Sequence, residues 1–445
     1  MNRAAEFIVR IFFRRTAITG AEHVPRSGPL LFVLNHPNAL IDPLFLLAFS
    51  PRPVAFLAKA PLFRMPVIGW LVRGAGSIPV YRRQDAADMS QNRATFEQVH
   101  ASLARGGAIA LFPEGTSHSE PQMRRFKTGA ARMALGAASL ASDAVSVVPA
   151  GLYYTAKGRF RSSALLCFGP PIAVVPAPLD GNNEPDSDTV HDLTAKLEAS
   201  LAAVVLQADH DEALRLVTRA ERIFTSAIAA APSQPDLADQ FGLRRRFLQG
   251  YAMLRRDAPA ELAALERRVV RYDAELVEAC LAPESLPAVP LAAPSIVGNV
   301  VREVGWLALI APLGVAGIVL HWPAYQIIGP FVTRGIRVER DVIATGKVLA
   351  AAILFPLTWI VVAAFIGTRF GIVAGVVALL GAPLSGYAAL RFLEQLDRSA
   401  GAARGLLLRL ARPAAYRRLA REREEIRAAI VALADRVDAP DLQGT

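Results

Sequence analysis

The sequence predicts an α/β domain over residues 1–180, then a helical insert, then a C-terminal transmembrane helical region. Three observations carry this. In the first 180 residues, short apolar runs alternate with segments of helical period. Residues 193–281 keep helical period among charges and carry no strand signal. Three long apolar stretches follow, at 306–332, 348–366 and 370–390. About 20 apolar residues suffice to cross a bilayer.

The first element is a helix. Phe7, Ile8, Ile11 and Phe12 recur at helical spacing with Arg3, Arg10, Arg14 and Arg15 around them. Such a helix suits a membrane surface, and equally the flank of a domain. Glu6 and Arg10 break the apolar run, so it does not read as a signal peptide. Buried strands are expected at 30–34, 55–57, 77–80, 108–112, 145–149 and 164–168. Residues 89–105 read as a helix with Phe96, Val99 and Leu103 on one face, stopped by Gly106-Gly107. The alanine-rich segment 127–140 reads as a helix able to pack closely on a sheet. The segment 61–72, apolar with Trp70, suits either a leaflet or the core.

Residues 171–192 carry Pro, Asp, Asn and Gly and read as a linker. The helical domain is expected over 190–282, and four prolines between 282 and 295 mark a second linker. Transmembrane hairpins are expected over 304–392, with a charged helical tail at 393–445. Stretches 348–366 and 370–390 form a tight hairpin, being separated by three residues. Stretch 306–332 holds Pro312, Pro323 and Pro330. Arg334, Arg337, Arg340 and Lys347 follow it, and the tail is rich in arginine. Positive segments stay cytoplasmic, so an even number of crossings fits best. Stretch 306–332 is therefore expected to fold back at its prolines. The α/β domain and the C-terminus then share the cytoplasmic face.

At 445 residues the chain exceeds one compact core. Its 53% hydrophobic content points to membrane lipids as surroundings, and its net charge of +10 suits anionic head groups or phosphorylated substrates. Without a zinc spacing or a basic-aromatic patch, nucleic acid is not an expected partner. Cys167 and Cys280 lie far apart, so no disulfide framework is implied and a reducing compartment is expected. Cys167, in an apolar run, reads as core filler.

Two segments carry chemistry. Asn35-His36-Pro37-Asn38-Ala39-Leu40-Ile41-Asp42-Pro43 follows the strand at 30–34, and Phe112-Pro113-Glu114-Gly115-Thr116 follows the strand at 108–112. Open α/β sheets gather ligand groups at such carboxyl ends. A carboxylate can orient an imidazole, and that imidazole can take a proton from an alcohol. No Gly-x-Ser-x-Gly elbow suggests a covalent route.

Both segments resemble signatures of the glycerolipid (PlsC-like) acyltransferase family. The resemblance implies an α/β acyltransferase domain with His36 and Asp42 as the catalytic pair. Glu114, Gly115 and Thr116 would then bind substrate. Gly76 and Arg82 resemble a third block, which assigns Arg82, or Arg83 in its place, to the acceptor phosphate. Pro79 departs from the aromatic residue usual there. Lys127, in Phe126-Lys127-Thr128-Gly129, would assist with phosphate. The strand around 147–151 resembles a fourth block and reads as mainly structural. His118 receives no role.

The broad family places four residues between His and Asp; here there are five. His36 and Asp42 can meet if the extra residue bulges the backbone. This spacing resembles a subgroup similar to fungal glycerol-3-phosphate and dihydroxyacetone-phosphate acyltransferases. The resemblance implies acyl transfer from acyl-CoA or acyl-carrier protein to a glycerol-phosphate acceptor, with no metal and no bound cofactor. A 1-acylglycerol-3-phosphate acyltransferase is the alternative enzyme. A non-catalytic lipid-binding membrane protein is the rival from another class.

Overall fold

The computed structural model describes residues 2–82, 92–141, 144–181, 184–228, 236–286, 293–335 and 343–438. Arg83 and the start of the helix expected at 89–105 lie outside them. The chain forms two compact units. The first takes its described residues from 2–209, 236–241 and 343–345. The second takes the remainder.

The first unit is built on one sheet of eight strands. These are β1 (Arg15–Thr19), β2 (Leu30–Leu34), β3 (Ala55–Lys59), β4 (Ile78–Val80), β5 (Ala108–Leu111), β6 (Val145–Tyr154), β7 (Ser163–Phe168) and β8 (Ile172–Val174). The strand order is β1-β7-β6-β2-β5-β3-β4, with β8 on β6. All six expected strands are present. β1 was not expected, because Arg15 and Thr16 give it a half-polar, half-buried pattern. β8 lies inside the expected 171–192 linker, three residues long behind Pro170-Pro171.

β2 lies at the centre and is wholly buried, which its unbroken Leu-Leu-Phe-Val-Leu run dictates. It runs parallel to β5 and to β6. β3 and β4 continue the parallel set beyond β5. The segments that follow β2, β4 and β5 therefore leave the sheet at the same edge.

Helices flank the sheet: α1 (Asn2–Phe12), α2 (Ile41–Phe49), α3 (Pro66–Gly74), α4 (Asn92–Ala104), α5 (Gly129–Ala141) and α6 (Ser187–Ala202). α5 brings Ala130, Ala131, Ala134, Ala137 and Ala138 into the core, as its small residues allow. α1 buries Ala5, Val9 and Phe12, while Phe7, Ile8 and Ile11 on its other side are exposed. Trp70 and Leu71 on α3 are exposed as well. Both segments thus offer apolar side chains outward.

The boundary expected at 180–190 moves. α6 closes the first unit, because Val190, Leu197 and Leu201 pack into the core formed by β2, β5 and α5. The helical domain expected at 190–282 is thus divided between the units.

The second unit contains α7 (Asp211–Ile228), most of α8 (Leu237–Asp257), α9 (Pro259–Glu278), α10 (Ala293–Gly335), most of α11 (Ile343–Phe370), α12 (Ile372–Ala411) and α13 (Pro413–Asp438). Three helices among the described residues are long and apolar enough to cross a membrane: 302–330, 345–370 and 372–411.

The stretch 306–332 does not fold back. It lies within the single helix α10, with Pro312, Pro323 and Pro330 inside it. Each proline forfeits one backbone hydrogen bond, a loss that neighbouring helices offset in apolar segments. α10 has such a neighbour. A Cβ on Gly317 would stand 2.0 Å from the Ser385 carbonyl oxygen of α12, and one on Gly314 would stand 2.8 Å from Phe392 Cβ. Small residues let the two backbones approach, and the pairs run antiparallel. The expected hairpin between 348–366 and 370–390 is present, turning at Gly371 (φ +92°). His321 of α10 donates from Nδ1 to the Gly317 carbonyl (2.8 Å) and accepts at Nε2 from the Trp359 indole of α11 (2.8 Å).

The expected tail at 393–445 begins as the continuation of α12. α13 follows, and it is not merely solvated. Leu419 and Ile426 pack with Ile223 of α7 and with Val269 and Tyr272 of α9. Arg268 holds Glu422 at 2.6 Å, and Arg418 holds Glu275 at 2.9 Å.

Candidate active site

The β2–β5 register creates the site. Val33 stands opposite Leu111. Three further residues along each chain are His36 and Glu114, so the two signatures leave neighbouring parallel strands at the same level. The His36 and Phe112 rings stack, with centroids 3.8 Å apart and planes at 13°. The His118 N–H donates to the His36 carbonyl at 3.1 Å. The two segments expected to share a pocket are therefore in direct contact.

Local hydrogen bonds fix the His36 loop. The Asn35 side chain donates to the Leu152 carbonyl (3.0 Å) and accepts from its N–H (2.7 Å), prolonging the β2–β6 ladder by one step. The extra residue of the motif does bulge the backbone: Ala39 lies at φ +31°. This brings Asp42, fully buried in the first turn of α2, back to His36. His36 Nδ1 donates to Asp42 Oδ2 at 2.8 Å. The Asn38 N–H donates to the same oxygen at 2.7 Å, and the Tyr154 hydroxyl donates to Oδ1 at 2.7 Å. An ionised carboxylate only accepts, so His36 carries its proton on Nδ1 and its lone pair on Nε2. Burial, and then the Asp42 charge, push the Tyr154 phenol well above its ordinary range, so it remains a donor.

The second segment forms a tight turn. Gly115 adopts φ +76°, and a Cβ there would stand 2.6 Å from Lys127 Nζ. Glycine thus gives Lys127 its place over the turn. Arg82 donates to the Gly115 carbonyl at 2.6 Å. Arg82 and Lys127 therefore converge on this turn, two cations beside one backbone corner. The Thr116 hydroxyl bonds the Ser117 carbonyl at 3.4 Å. Glu114 Oε2 accepts from His118 Nε2 and from the Arg124 N–H (2.8 Å).

Of the expected site residues, the structure brings together His36, Asp42, Glu114, Gly115, Thr116, Arg82 and Lys127. Arg83 lies outside the described residues. Sequence reasoning missed Tyr154 and His118. Tyr154 reaches Asp42 from 112 residues away and left no local signal. His118 had one, its place four residues after Glu114. Among the described residues, no three His, Cys, Asp or Glu side chains converge to hold a metal ion.

Comparison with known proteins follows the same division of the chain. Residues 15–153 match the acyltransferase family, and residues 221–442 match the glycerol-3-phosphate acyltransferase 2 C-terminal domain. An uncharacterized acyltransferase of Schizosaccharomyces pombe is 23% identical over 79% of this chain and 66% of its own length. Glycerol-3-phosphate O-acyltransferase 2 of Saccharomyces cerevisiae is 28% identical over 62% of this chain and 38% of its own. A chloroplastic 1-acyl-sn-glycerol-3-phosphate acyltransferase of Brassica napus is 32% identical over 33% of this chain and 39% of its own. The chain thus spans less than two thirds of the length of each of these relatives.

Proposed function

We propose that this chain, an acyltransferase-family domain joined to a glycerol-3-phosphate acyltransferase 2 C-terminal domain, acylates a glycerol-phosphate acceptor in phospholipid synthesis. The acceptor is glycerol 3-phosphate or dihydroxyacetone phosphate, and the donor is acyl-CoA or acyl-carrier protein. One observation supports this above the others. A base with its tautomer fixed by Asp42 stands level with a turn that gathers Arg82 and Lys127.

The reaction follows from those groups. Arg82 and Lys127 take the acceptor phosphate; guanidinium grips it with paired hydrogen bonds and ammonium acts as a point charge. The reacting hydroxyl then faces His36. As its oxygen attacks the thioester carbonyl carbon, Nε2 takes its proton and Asp42 stabilises the imidazolium. The face of Phe112 carries negative quadrupole density and favours the same charge. The new C–O bond forms, the C–S bond breaks, and the departing thiolate recovers the proton from His36. This step calls for neither a metal nor a bound organic cofactor.

A cytoplasmic placement of both the α/β domain and the C-terminus belongs to this reading. The packing of α13 on α7 and α9 supports it, because both flanks of the apolar helices must then lie on one side. An even number of crossings follows, so in this reading one of the three apolar helices does not span the bilayer.

The mechanism is tested with His36→Ala in membranes bearing the full chain, using labelled acyl-CoA and glycerol 3-phosphate. The expected loss is about 10²–10⁴-fold, the usual worth of a general base. Turnover near that of the unmodified chain would refute the assignment.

A further inference from the structure

The Glu114–His118 pair extends that reading to the choice of acceptor, and the inference rests on it. We infer that His118 accepts a hydrogen bond from the acceptor's second hydroxyl, so that glycerol 3-phosphate is preferred to acceptors with a single hydroxyl.

His118 is nine-tenths buried, and the Glu114 carboxyl is fully buried. His118 Nε2 faces Glu114 Oε2, which also takes the Arg124 N–H. A carboxylate oxygen that already accepts one bond can only accept a second, so the imidazole proton sits on Nε2. Nδ1 is thereby left as a lone-pair acceptor. Among the described residues, neither Nδ1 nor Glu114 Oε1 has a hydrogen-bond partner. Glu120 does not supply one. Its carboxylate is turned to the Arg124 guanidinium at 2.6 Å and stops 4.0 Å from Nδ1. One corner of the site thus holds two buried acceptors, and what both require is a donor.

The position of this corner decides which donor suits it. The His118 N–H is bonded to the His36 carbonyl, so the two imidazoles stem from adjoining backbone. Glycerol 3-phosphate carries hydroxyls on neighbouring carbons. One gives its proton to His36 on reaction, and the other donates to His118. Dihydroxyacetone phosphate has a ketone at the second position, whose lone pairs would face the Nδ1 lone pair. A 1-acylglycerol 3-phosphate spends its one hydroxyl on His36 and offers ester oxygens elsewhere. A site built to bond a hydroxyl rejects analogues that lack it, commonly by 10⁴–10⁵-fold when fully buried. A single hydrogen bond to a neutral acceptor is worth less than a whole built site, so roughly 10²-fold is expected here.

The experiment measures kcat/KM for glycerol 3-phosphate, dihydroxyacetone phosphate and 1-oleoylglycerol 3-phosphate in membranes containing the full chain. The unmodified chain should prefer glycerol 3-phosphate by about 10²-fold. His118→Leu should remove most of that preference, its loss falling mainly on glycerol 3-phosphate. His118→Gln should restore it, since its amide can donate to Glu114 and still accept from a hydroxyl. Equal use of glycerol 3-phosphate and the ketone by the unmodified chain overturns the inference. So does an equal loss on all three acceptors in both variants, which marks a structural role. If none of the three is acylated by the unmodified chain, the reading under Proposed function falls and this inference with it. His36→Ala distinguishes the two failures, because it should lower all three rates together.

Discussion

Asp42 and Glu114 each hold an imidazole, but they are loaded differently. Asp42 receives three donors spread over both oxygens: His36, the Asn38 N–H and the Tyr154 hydroxyl. Glu114 receives two, both on Oε2. A carboxylate bonded on both oxygens and fully buried is left to fix the ring beside it and the charge that ring acquires. A half-loaded carboxylate fixes its ring and still presents lone pairs. The first arrangement suits a base used afresh in each turnover. The second suits recognition of a donor group that comes and goes.

The comparison is broken most sharply at Asp42. In Asp42→Asn the amide carbonyl can face His36 and Asn38, while its NH₂ faces the Tyr154 oxygen. The His36 tautomer then survives and only the negative charge is lost. The expected result is a fall in kcat of about 10²–10³-fold, within the range for general-base assistance, with KM for the acceptor nearly unchanged. An unaltered kcat would mean that Asp42 supports the fold and not the reaction.

Glu114→Gln sharpens the other side. Its carbonyl can keep His118 and Arg124, which puts an NH₂ where Oε1 was. A buried acceptor becomes a donor. The expected outcome is a roughly 10-fold narrowing of the preference for glycerol 3-phosphate over dihydroxyacetone phosphate, as expected for exchanging one hydrogen bond, ~1.4 kcal/mol. A uniform loss on both acceptors would place Glu114 with Asp42 as a purely positioning acid.

How much of this was legible follows from how local each cause is. β2, β5 and α5 declare themselves through unbroken apolar runs and small residues, and the structure places them where the sequence does. His36 and Glu114 were readable because each follows such a strand. Their equal height was not readable, since it depends on which strands are neighbours. β1 was hidden because its burial is partial, and α10 because local rules make three prolines look like breaks. The helix that packs against α10 does so at Ser385 and Phe392, far along the chain. Tyr154 and His118 were missed for a related reason. Nothing near Tyr154 in sequence announces Asp42, and a lone histidine in a turn is ordinary until its carboxylate partner is seen.

The smallest expected effect concerns the residue that distinguishes this His–Asp spacing. Ala39 at φ +31° turns the chain so that Asp42 can return to His36. The turn leads directly into α2, whose cap residue Leu40 has no capping side chain of its own. Helices begin with N–H groups that lack intrahelical acceptors, and buried ones must find partners elsewhere. The Leu40 N–H finds the Thr345 hydroxyl at 3.2 Å, from 305 residues away. Thr345 is buried and belongs to the first unit. The bulge that brings the acid to the base is thus capped from the far end of the chain. Thr345→Val keeps the shape and removes the acceptor, at a cost of about 1–3 kcal/mol to the local loop. Because Asp42 still has its three donors, kcat should fall only about 2–5-fold, on the order of 1 kcal/mol. Faster hydrogen exchange confined to residues 38–42 should accompany it, and Thr345→Ser should reverse both. Unchanged exchange at Leu40 in the valine variant would show that the bulge holds without this cap.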